Sequence, residues 1–289
     1  MTDATVVVAL PVDRGGTGSV PMVFRLLARA GRALRVPIAS LAGAVVLWYA
    51  VTYLVLSPSR RFLLPAPHVV LTRSLLNRSH VLPMLEALGV TARVAAIGFV
   101  VAALAGTAIG TLMSRARWLE RLIYPYAVVL QVIPILALVP LIGLWFGYGI
   151  FARTLVCVII AVFPIITNTL FGLQSVDRGQ HELFTLSRAS ARDRLLKLEL
   201  PAALPAILTG LRTAAGLVVI GAIIGDMFFT KGRPGIGTLL DVYRSRLQSA
   251  DLFASIVLAA LLGVLVFVAC NAASAALIGD WHSSSDREK

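Results

Sequence analysis

The sequence predicts an all-α polytopic membrane protein with about six transmembrane helices and a helix–turn–helix loop on the cytoplasmic side. Hydrophobic residues make up 58% of the chain, the mean hydropathy is +0.88, and only 14% of the residues are charged. An ordinary globular domain carries about 25% charged residues. A soluble fold of this size could not cover its surface with so few charges, whereas lipid replaces water around a membrane protein.

The net charge of +12 could suggest nucleic-acid binding. The Lys and Arg residues, however, stand in short clusters between long apolar runs, as a bilayer requires, and do not form one continuous basic face. We therefore expect membrane lipid and no nucleic acid as a partner. Cys157 and Cys270 both lie within apolar stretches and are read as small buried hydrophobes.

Six apolar runs have the length of about 20 residues that a transmembrane helix needs. The first follows a long Arg-rich segment and lacks a cleavage site, so we expect a retained helix and no cleavable signal peptide. Gly98, Gly106 and Gly110 give the second run a smooth face for close helix packing. Prolines 134 and 140 interrupt the third. The six runs are Ile38–Leu56, Leu88–Met113, Ile123–Leu144, Leu155–Leu173, Gly210–Phe229 and Phe253–Ile278.

The distribution of Lys and Arg places both termini in the cytoplasm, because fifteen of them then lie on inner segments and nine, including Arg153, on outer loops. Arg93 and Arg212 are assigned to span ends. The domain boundaries follow: a basic cytoplasmic segment 1–37, a transmembrane domain 38–279 and a cytoplasmic tail 280–289. Spaced Arg residues predict an interfacial amphipathic helix in segment 1–37, with an unstructured basic tail as the alternative.

The loop 174–203, between the fourth and fifth spans, is too long for a simple turn and predicts two short helices. Asp177 caps the first, which ends near Leu186. Ser190 caps the second, with Asp193 three residues on, as in a capping box. Pro201 and Pro205 are expected to end that second helix. Such a helix pair suits docking into a groove of a partner, and a solvated basic loop is the alternative.

This loop resembles the cytoplasmic signature loop of permeases of binding-protein-dependent ABC importers. Glu182 takes the Glu position of the family's Glu-Ala-Ala motif, Leu183 and Phe184 take the Ala positions, and Leu200-Pro201 takes the Leu-Pro pair. The family's turn Gly falls on Arg188, which implies either a different turn geometry or an added contact with the partner. We call the segment 174–203 the signature loop.

The resemblance extends over most of the chain from about Phe62, and the nearest group is that of permeases for nitrate, sulfonates, taurine and thiamine-pyrimidine precursors. It implies two permease subunits, here a homodimer, two cytoplasmic ATPases docked on the signature loops, an external solute-binding protein and a bacterial inner-membrane location. The implied ATPase-coupling residues are Glu182, Leu183, Phe184, Arg188, Ala189, Ser190, Arg192, Asp193, Arg194, Leu200 and Pro201. Besides the signature loop, the resemblance rests on the segments 62–67, 131–147, 163–173, 210–226 and 235–237.

No catalytic apparatus is expected in this chain. Gly232–Thr238 superficially resembles a phosphate-binding loop, but it lacks the Lys that reaches the phosphates, and we read it as a compact turn. ATP hydrolysis is therefore assigned to a partner, with no cofactor in this chain, and the four His residues show no metal-ligand spacing.

Four polar residues at membrane depth are candidates for lining or gating a pathway: Gln131, Asn168, Thr169 and Asp226. Hydrogen bonding between helices is the alternative for the first three and an ordinary interfacial position for Asp226. Arg212 stands fourteen residues before Asp226, about 21 Å along a helix, so the two cannot pair.

Two other functions remain open. A secondary transporter would need intramembrane carboxylates or His for ion coupling, for which only Asp226 is well placed. A membrane enzyme would need clustered His, Asp or Glu at one membrane face, and the sequence shows no such cluster.

Overall fold

In the computed structural model, residues 39–229 and 231–278 are described, and within them every regular element is a helix. The chain divides into two compact units at Pro58. The first contains α1, Ala39–Val55, whose last turn, Val51–Val55, is a π-helix. The basic segment 1–37 with its predicted amphipathic helix, and the tail 280–289, lie outside the described residues.

Within the described residues, the second unit contains the helices α2 to α11. A short helix α2, Pro67–Val70, continues as a π-turn, Leu71–Leu75, and leads into α3. A π-turn, Leu195–Glu199, likewise joins α8 to α9. The remaining helices are α3 (Arg78–Arg115), α4 (Arg117–Val132), α5 (Ile135–Phe146), α6 (Ile150–Gln174), α7 (Arg178–Leu186), α8 (Ala191–Arg194), α9 (Leu200–Phe228), α10 (Ile236–Ser245) and α11 (Ser249–Ile278).

Within the described residues, each of the six predicted spans is largely helical. Four long apolar helices of the second unit, namely α3, α6, the run Ala191–Phe228 and α11, are each sufficient to cross a membrane. The third predicted span is broken, because α4 and α5 meet at 103° next to Pro134, while Pro140 lies inside α5 without breaking it. The first, α1, is shorter than the other spans. The polytopic α-helical class is confirmed.

The expected break at Pro201 and Pro205 was wrong, because α8, the π-turn and α9 form one continuous helix from Ala191 to Phe228. Pro201 lies inside this continuous helix, just after the π-turn Leu195–Glu199, and has no N–H to bond to the preceding turn. The π-turn before it closes with a hydrogen bond from the Leu200 N–H to the Leu195 carbonyl. Such local adjustments let membrane helices retain prolines that would end a soluble helix.

Helices α3, α6 and α9 form the centre of the unit, and small residues bring them close together. A side chain at Gly98 would collide with Cys157 of α6, and one at Gly106 would collide with Ile165. Gly221 of α9 sits equally close to the backbone of Cys157. The close packing predicted for the glycine face of α3 is therefore confirmed, as expected where helices associate in lipid.

The two ends of this bundle are distinguished by what they carry. The loop end carries α7 and α8 of the signature loop, together with the C-termini of α3 and α6. The far end carries the N-terminus of α6, the C-terminus of α9, Phe229, the segment 231–235 and α10.

Candidate functional site

The signature loop is folded as the predicted helix pair. The Asp177 carboxylate accepts a hydrogen bond from the Gly179 N–H at 2.7 Å and caps α7. The Ser190 hydroxyl oxygen accepts from the Asp193 N–H at 3.1 Å, and its own proton is shared with the Asp193 carboxylate. Both helices therefore begin at locally encoded caps, which confirms the two predicted starts.

The turn between α7 and α8 is a Schellman motif with Arg188 in the left-handed region, at φ 51°. The Ala189 N–H bonds to the Phe184 carbonyl and the Arg188 N–H to the Thr185 carbonyl, both at 3.0 Å. Gly usually occupies this position because it lacks the Cβ that makes the conformation costly. The alternative of a different turn geometry was therefore wrong, since Arg188 adopts the conformation that a Gly would take.

One side-chain hydrogen bond links the two helices in addition to the turn. The Arg194 guanidinium donates to the Thr185 hydroxyl at 2.9 Å, across the turn. Lys197 and Asp193 form an ion pair at 2.7 Å, one turn apart within the second helical segment. The turn and the Arg194–Thr185 bond thus fix the direction in which α7 leaves α8.

The signature loop is anchored on the bundle by an apolar contact and an ion pair. Leu195 and Leu200 pack on a buried cluster formed by Leu173, Ala203 and Ile207. Glu199 is 6% exposed, lies in the π-turn, and pairs with Arg115 at the C-terminus of α3. The helix pair is therefore connected to α3 and α6 as well as to α9, with which it is continuous.

The outer surface of the helix pair is mixed apolar and charged. Leu183 and Leu186 of α7 are 64% and 82% exposed, and Leu196 is half exposed. Charged residues exposed on the same surface include Glu182, Arg188 and Arg192. Apolar side chains exposed beside charges on a loop are typical of a surface that a partner covers.

At the far end, a fully buried ion pair joins α6 to α9. Arg153, in the first turn of α6, is 3% exposed and donates from Nη1 to the Asp226 carboxylate at 3.0 Å. Asp226 is completely buried near the end of α9 and also accepts from the Thr91 hydroxyl of α3 at 2.5 Å. Three helices therefore meet at one carboxylate.

The same network holds the segment that follows α9. Arg153 donates to the carbonyl oxygens of Phe229, Lys231 and Arg233. The Thr238 hydroxyl donates to the Asp226 carbonyl at 2.7 Å. Because these bonds use most of the guanidinium protons, the two buried charges are compensated as well as paired.

Glycines make this approach possible. A side chain at Gly235 would overlap the Asp226 carboxylate, and one at Gly237 would overlap the Ile223 carbonyl. The Ile236 N–H between them donates to the Thr91 hydroxyl at 2.8 Å. The Gly-Ile-Gly turn is thus required at this position for contact with α3 and α9, as well as for its own bend.

The four predicted pathway residues lie in different surroundings. Gln131 is exposed near the end of α4, and Asn168 is half-buried against Gly210. Thr169 is completely buried on the face of α6 that packs on Gly110 of α3. Asp226 is enclosed in the far-end network. The structure does not bring these four together, and their roles in a pathway remain predictions.

Two sequence assignments need correction. Arg153 was counted in an outer loop, but it is a buried residue of α6 that pairs with Asp226. Arg212 was assigned to a span end, but it lies near the middle of α9. In both cases the boundary was set from hydropathy, and a lone Arg at the edge of an apolar run reads as loop on that scale.

Comparison with known proteins identifies the family. Residues 78–279 match the family model described as "binding-protein-dependent transport system inner membrane component". The chain is 36% identical over 209 residues to a formylaminopyrimidine transport permease of Halalkalibacterium halodurans, covering 72% of this chain and 82% of that protein. It is also similar to a bicarbonate transport system permease of Synechococcus elongatus, at 31% over 242 residues, with 80% and 84% covered.

A third relative, from Bacillus subtilis, is named a putative aliphatic sulfonates transport permease protein. It is 32% identical over 171 residues, which are 59% of this chain and 61% of the relative. With its long apolar helices, the chain is a multi-pass transport protein of the inner membrane. It belongs to the binding-protein-dependent inner-membrane transport components and is the permease subunit of an ABC importer.

Proposed function

We propose that this permease acts as a homodimer driven by two ATPase subunits docked on its signature loops, with an external solute-binding protein delivering a small polar solute. The termini and the loop end face the cytoplasm in this proposal, and the segment around Gly232 faces outward. The relatives named above are described as permeases for a formylaminopyrimidine, for bicarbonate and for sulfonates, and all three are small polar solutes.

The observation that carries the proposal is the construction of the signature loop. The helix pair is linked by its turn and by the Arg194–Thr185 hydrogen bond, exposes Leu183 and Leu186, and is anchored on three long helices at once. A groove on an ATPase that receives its exposed surface could therefore displace α3, α6 and α9 together. Such a rigid-body displacement is the usual way in which a local event opens one side of a transport pathway and closes the other.

Reconstitution in liposomes with the ATPase and binding protein tests this coupling. We expect Glu182→Ala to weaken co-purification of the ATPase and to lower uptake while the protein still inserts. Placing Pro at Leu195 should uncouple uptake from hydrolysis, because it disrupts the continuous helix. Full uptake by Leu195→Pro, or uptake by the permease without any ATPase, would contradict the proposal, and the second result would favour a secondary transporter.

Orientation is tested separately by labelling single cysteines in intact cells. A Cys at position 232 should react with a membrane-impermeant reagent, whereas a Cys at position 284 should be protected until the membrane is permeabilised. The opposite pattern would reverse the assigned topology.

A further inference from the structure

Arg212 stands at mid-membrane depth. It lies thirteen residues after Glu199 at the loop end and fourteen before Asp226 at the far end, about 20 Å along the helix from each. Gly210, two residues before Arg212, contacts the backbone of Pro164, which lies close to the middle of the 25-residue helix α6. A side chain at this depth is too far from either end of α9 to reach water along the membrane surface.

Arg212 also lacks a counter-charge. Its side chain is half-buried, its Nε is enclosed without a hydrogen-bond partner, and it forms no ion pair with any residue that the structure describes. None of the nine acidic residues within the described ranges forms an ion pair with Arg212, and Asp226 is already paired with Arg153. An unpaired charge at membrane depth is expensive unless it faces a water-filled cavity or a partner.

The surface beside Arg212 differs from the lipid-facing surfaces of the same unit. One turn apart on α9, the exposed residues Pro205, Thr209 and Thr213 are followed by the half-buried Gly216. We call these four residues the threonine face. The face becomes apolar only further along, at Ile220.

Helix α11 shows the opposite composition. Its exposed residues, as far as the structure describes their side chains, are all apolar, and several of them are large, as suits contact with acyl chains. They include Leu261, Val264, Leu265 and Val268.

The threonine face offers little to an anion by itself. Thr209 and Thr213 donate their hydroxyl protons to the Pro205 and Thr209 carbonyls of their own helix. Arg212, at the edge of this face, is therefore the source of free N–H donors, of which a guanidinium has five. Planar guanidinium donors match carboxylate, sulfonate and similar oxyanions.

We propose that Arg212 is a mid-membrane binding site for the negatively charged group of a transported oxyanion, such as a sulfonate, a carboxylate or a small inorganic oxyanion. The inference rests on the proposed function, since it places the threonine face on the pathway between two copies. In a symmetric dimer the second copy brings its own Arg212 to the same depth, which adds positive charge and supplies no acid. A single contact, in place of a full ring of donors, binds the solute weakly enough for it to leave again, as conduction requires.

Cysteine labelling tests the site without knowledge of the solute. In a Cys157→Ala/Cys270→Ala background, Thr213→Cys should react with both 2-sulfonatoethyl methanethiosulfonate and its cationic trimethylammonium counterpart. With Arg212 present, Thr213→Cys should react faster with the anionic reagent than with the cationic one. Arg212→Gln should reduce this ratio of reaction rates by about tenfold. Val264→Cys on α11, which faces lipid, is the matched control and should not react. An unreactive Thr213→Cys, or a charge preference that Arg212→Gln leaves unchanged, would overturn the site.

Transport by the complete importer tests the solute class. With ATPase and binding protein present, we expect ATP-driven uptake of at least one of ethanesulfonate, nitrate and bicarbonate. Arg212→Gln should lower that uptake about tenfold while the ATPase remains bound, and Arg212→Lys should retain more of it, because Lys keeps the charge but not the planar donors.

ATP-driven uptake of an uncharged solute alone, riboflavin for example, would refute the oxyanion site and leave the proposed function standing. Failure of the ATPase to bind or drive the permease would contradict the proposed function, and the labelling result would then decide the site by itself.

Discussion

Each end of the bundle carries a pair between an Arg and a carboxylate on different helices, and the two pairs are built differently. At the far end, Arg153 and Asp226 are both enclosed, Thr91 donates to the carboxylate, and three backbone carbonyls accept from the two terminal nitrogens of the guanidinium. At the loop end, the Arg115 side chain is 34% exposed and only Glu199 is enclosed, beside a polar cavity of about 620 Å³. The first pair is a fixed joint between three helices, whereas the second can exchange its partner for water.

This difference fits a division of labour along the bundle. A fully enclosed pair has no alternative partner nearby, so breaking it leaves uncompensated charges and costs much energy. A pair that borders a wet cavity can separate at small cost. Movement that begins at the signature loop is therefore expected to pivot around the far end. Four changes test this contrast, and they follow in order of expected effect.

Removing the charge of Asp226 should have the largest effect. Asp226→Asn leaves the Arg153 guanidinium buried without its counter-charge, which we expect to destabilise the protein by about 3–5 kcal/mol. Thermal unfolding of the detergent-purified protein would measure this, with Asp241→Asn, an exposed residue paired with Arg244, as the control. The double variant Arg153→Met/Asp226→Leu should recover much of the loss. Equal unfolding temperatures for Asp226→Asn and Asp241→Asn would contradict the description of the far end as a fixed joint.

Adding a methyl group to the Gly-Ile-Gly turn should have the next largest effect. The Cβ of Gly235→Ala would overlap the Asp226 carboxylate, so the turn and α9 must move apart, at a cost of about 1–3 kcal/mol. Gly89→Ala is the matched control, because a Cβ there meets no atom within 4 Å. Thermal unfolding of the two variants side by side should separate them clearly, and indistinguishable curves would argue against the close approach at Gly235.

Breaking the loop-end pair should cost less stability but affect coupling. We expect Arg115→Gln to lower the free energy of unfolding by about 1 kcal/mol, because Glu199 can be hydrated from the adjacent cavity. The same variant should lower the ratio of solute transported to ATP hydrolysed in liposomes, and the charge-reversed pair Arg115→Glu/Glu199→Arg should restore part of it. A stability loss as large as that of Asp226→Asn would remove the proposed distinction between the two ends.

The smallest effect is expected at the turn of the signature loop. Arg188→Gly removes a Cβ from the left-handed conformation and should stabilise the turn by at most about 1 kcal/mol, partly offset by the greater freedom of Gly in the unfolded chain. If Arg188 contacts the ATPase, the same variant should bind the ATPase more weakly, most visibly at low salt. Co-purification at two salt concentrations, with Arg192→Gly as the comparison, measures that contact.

Local patterns account for what the sequence predicted correctly. Apolar runs of spanning length placed the helices, because the cost of burying polar groups in lipid acts on each segment independently. Asp177 and Ser190 placed the starts of α7 and α8, because a cap bonds within two or three residues of itself. The resemblance to importer permeases also rested on short contiguous motifs in these regions.

The wrong predictions arose where local rules for proline and hydropathy ignore the surrounding structure. The break expected at Pro201 did not occur, because a π-turn and the surrounding helices keep the backbone bonded. Arg153 was read as a loop residue, because hydropathy does not record a counter-charge 73 residues away. Arg212 was placed at a span end because a charge lowers the local hydropathy wherever it lies.

By itself, then, the sequence determined the membrane class, the position of the spans and the local fold of the signature loop, since each depends on residues within a few turns of one another. Only the tertiary structure decided which charges are joined. It paired Asp226 with Arg153 and Glu199 with Arg115, and left Arg212 without an acid among the described residues. Those outcomes depend on which faces of α3, α6 and α9 meet, and that is set by the packing of glycines against neighbouring helices.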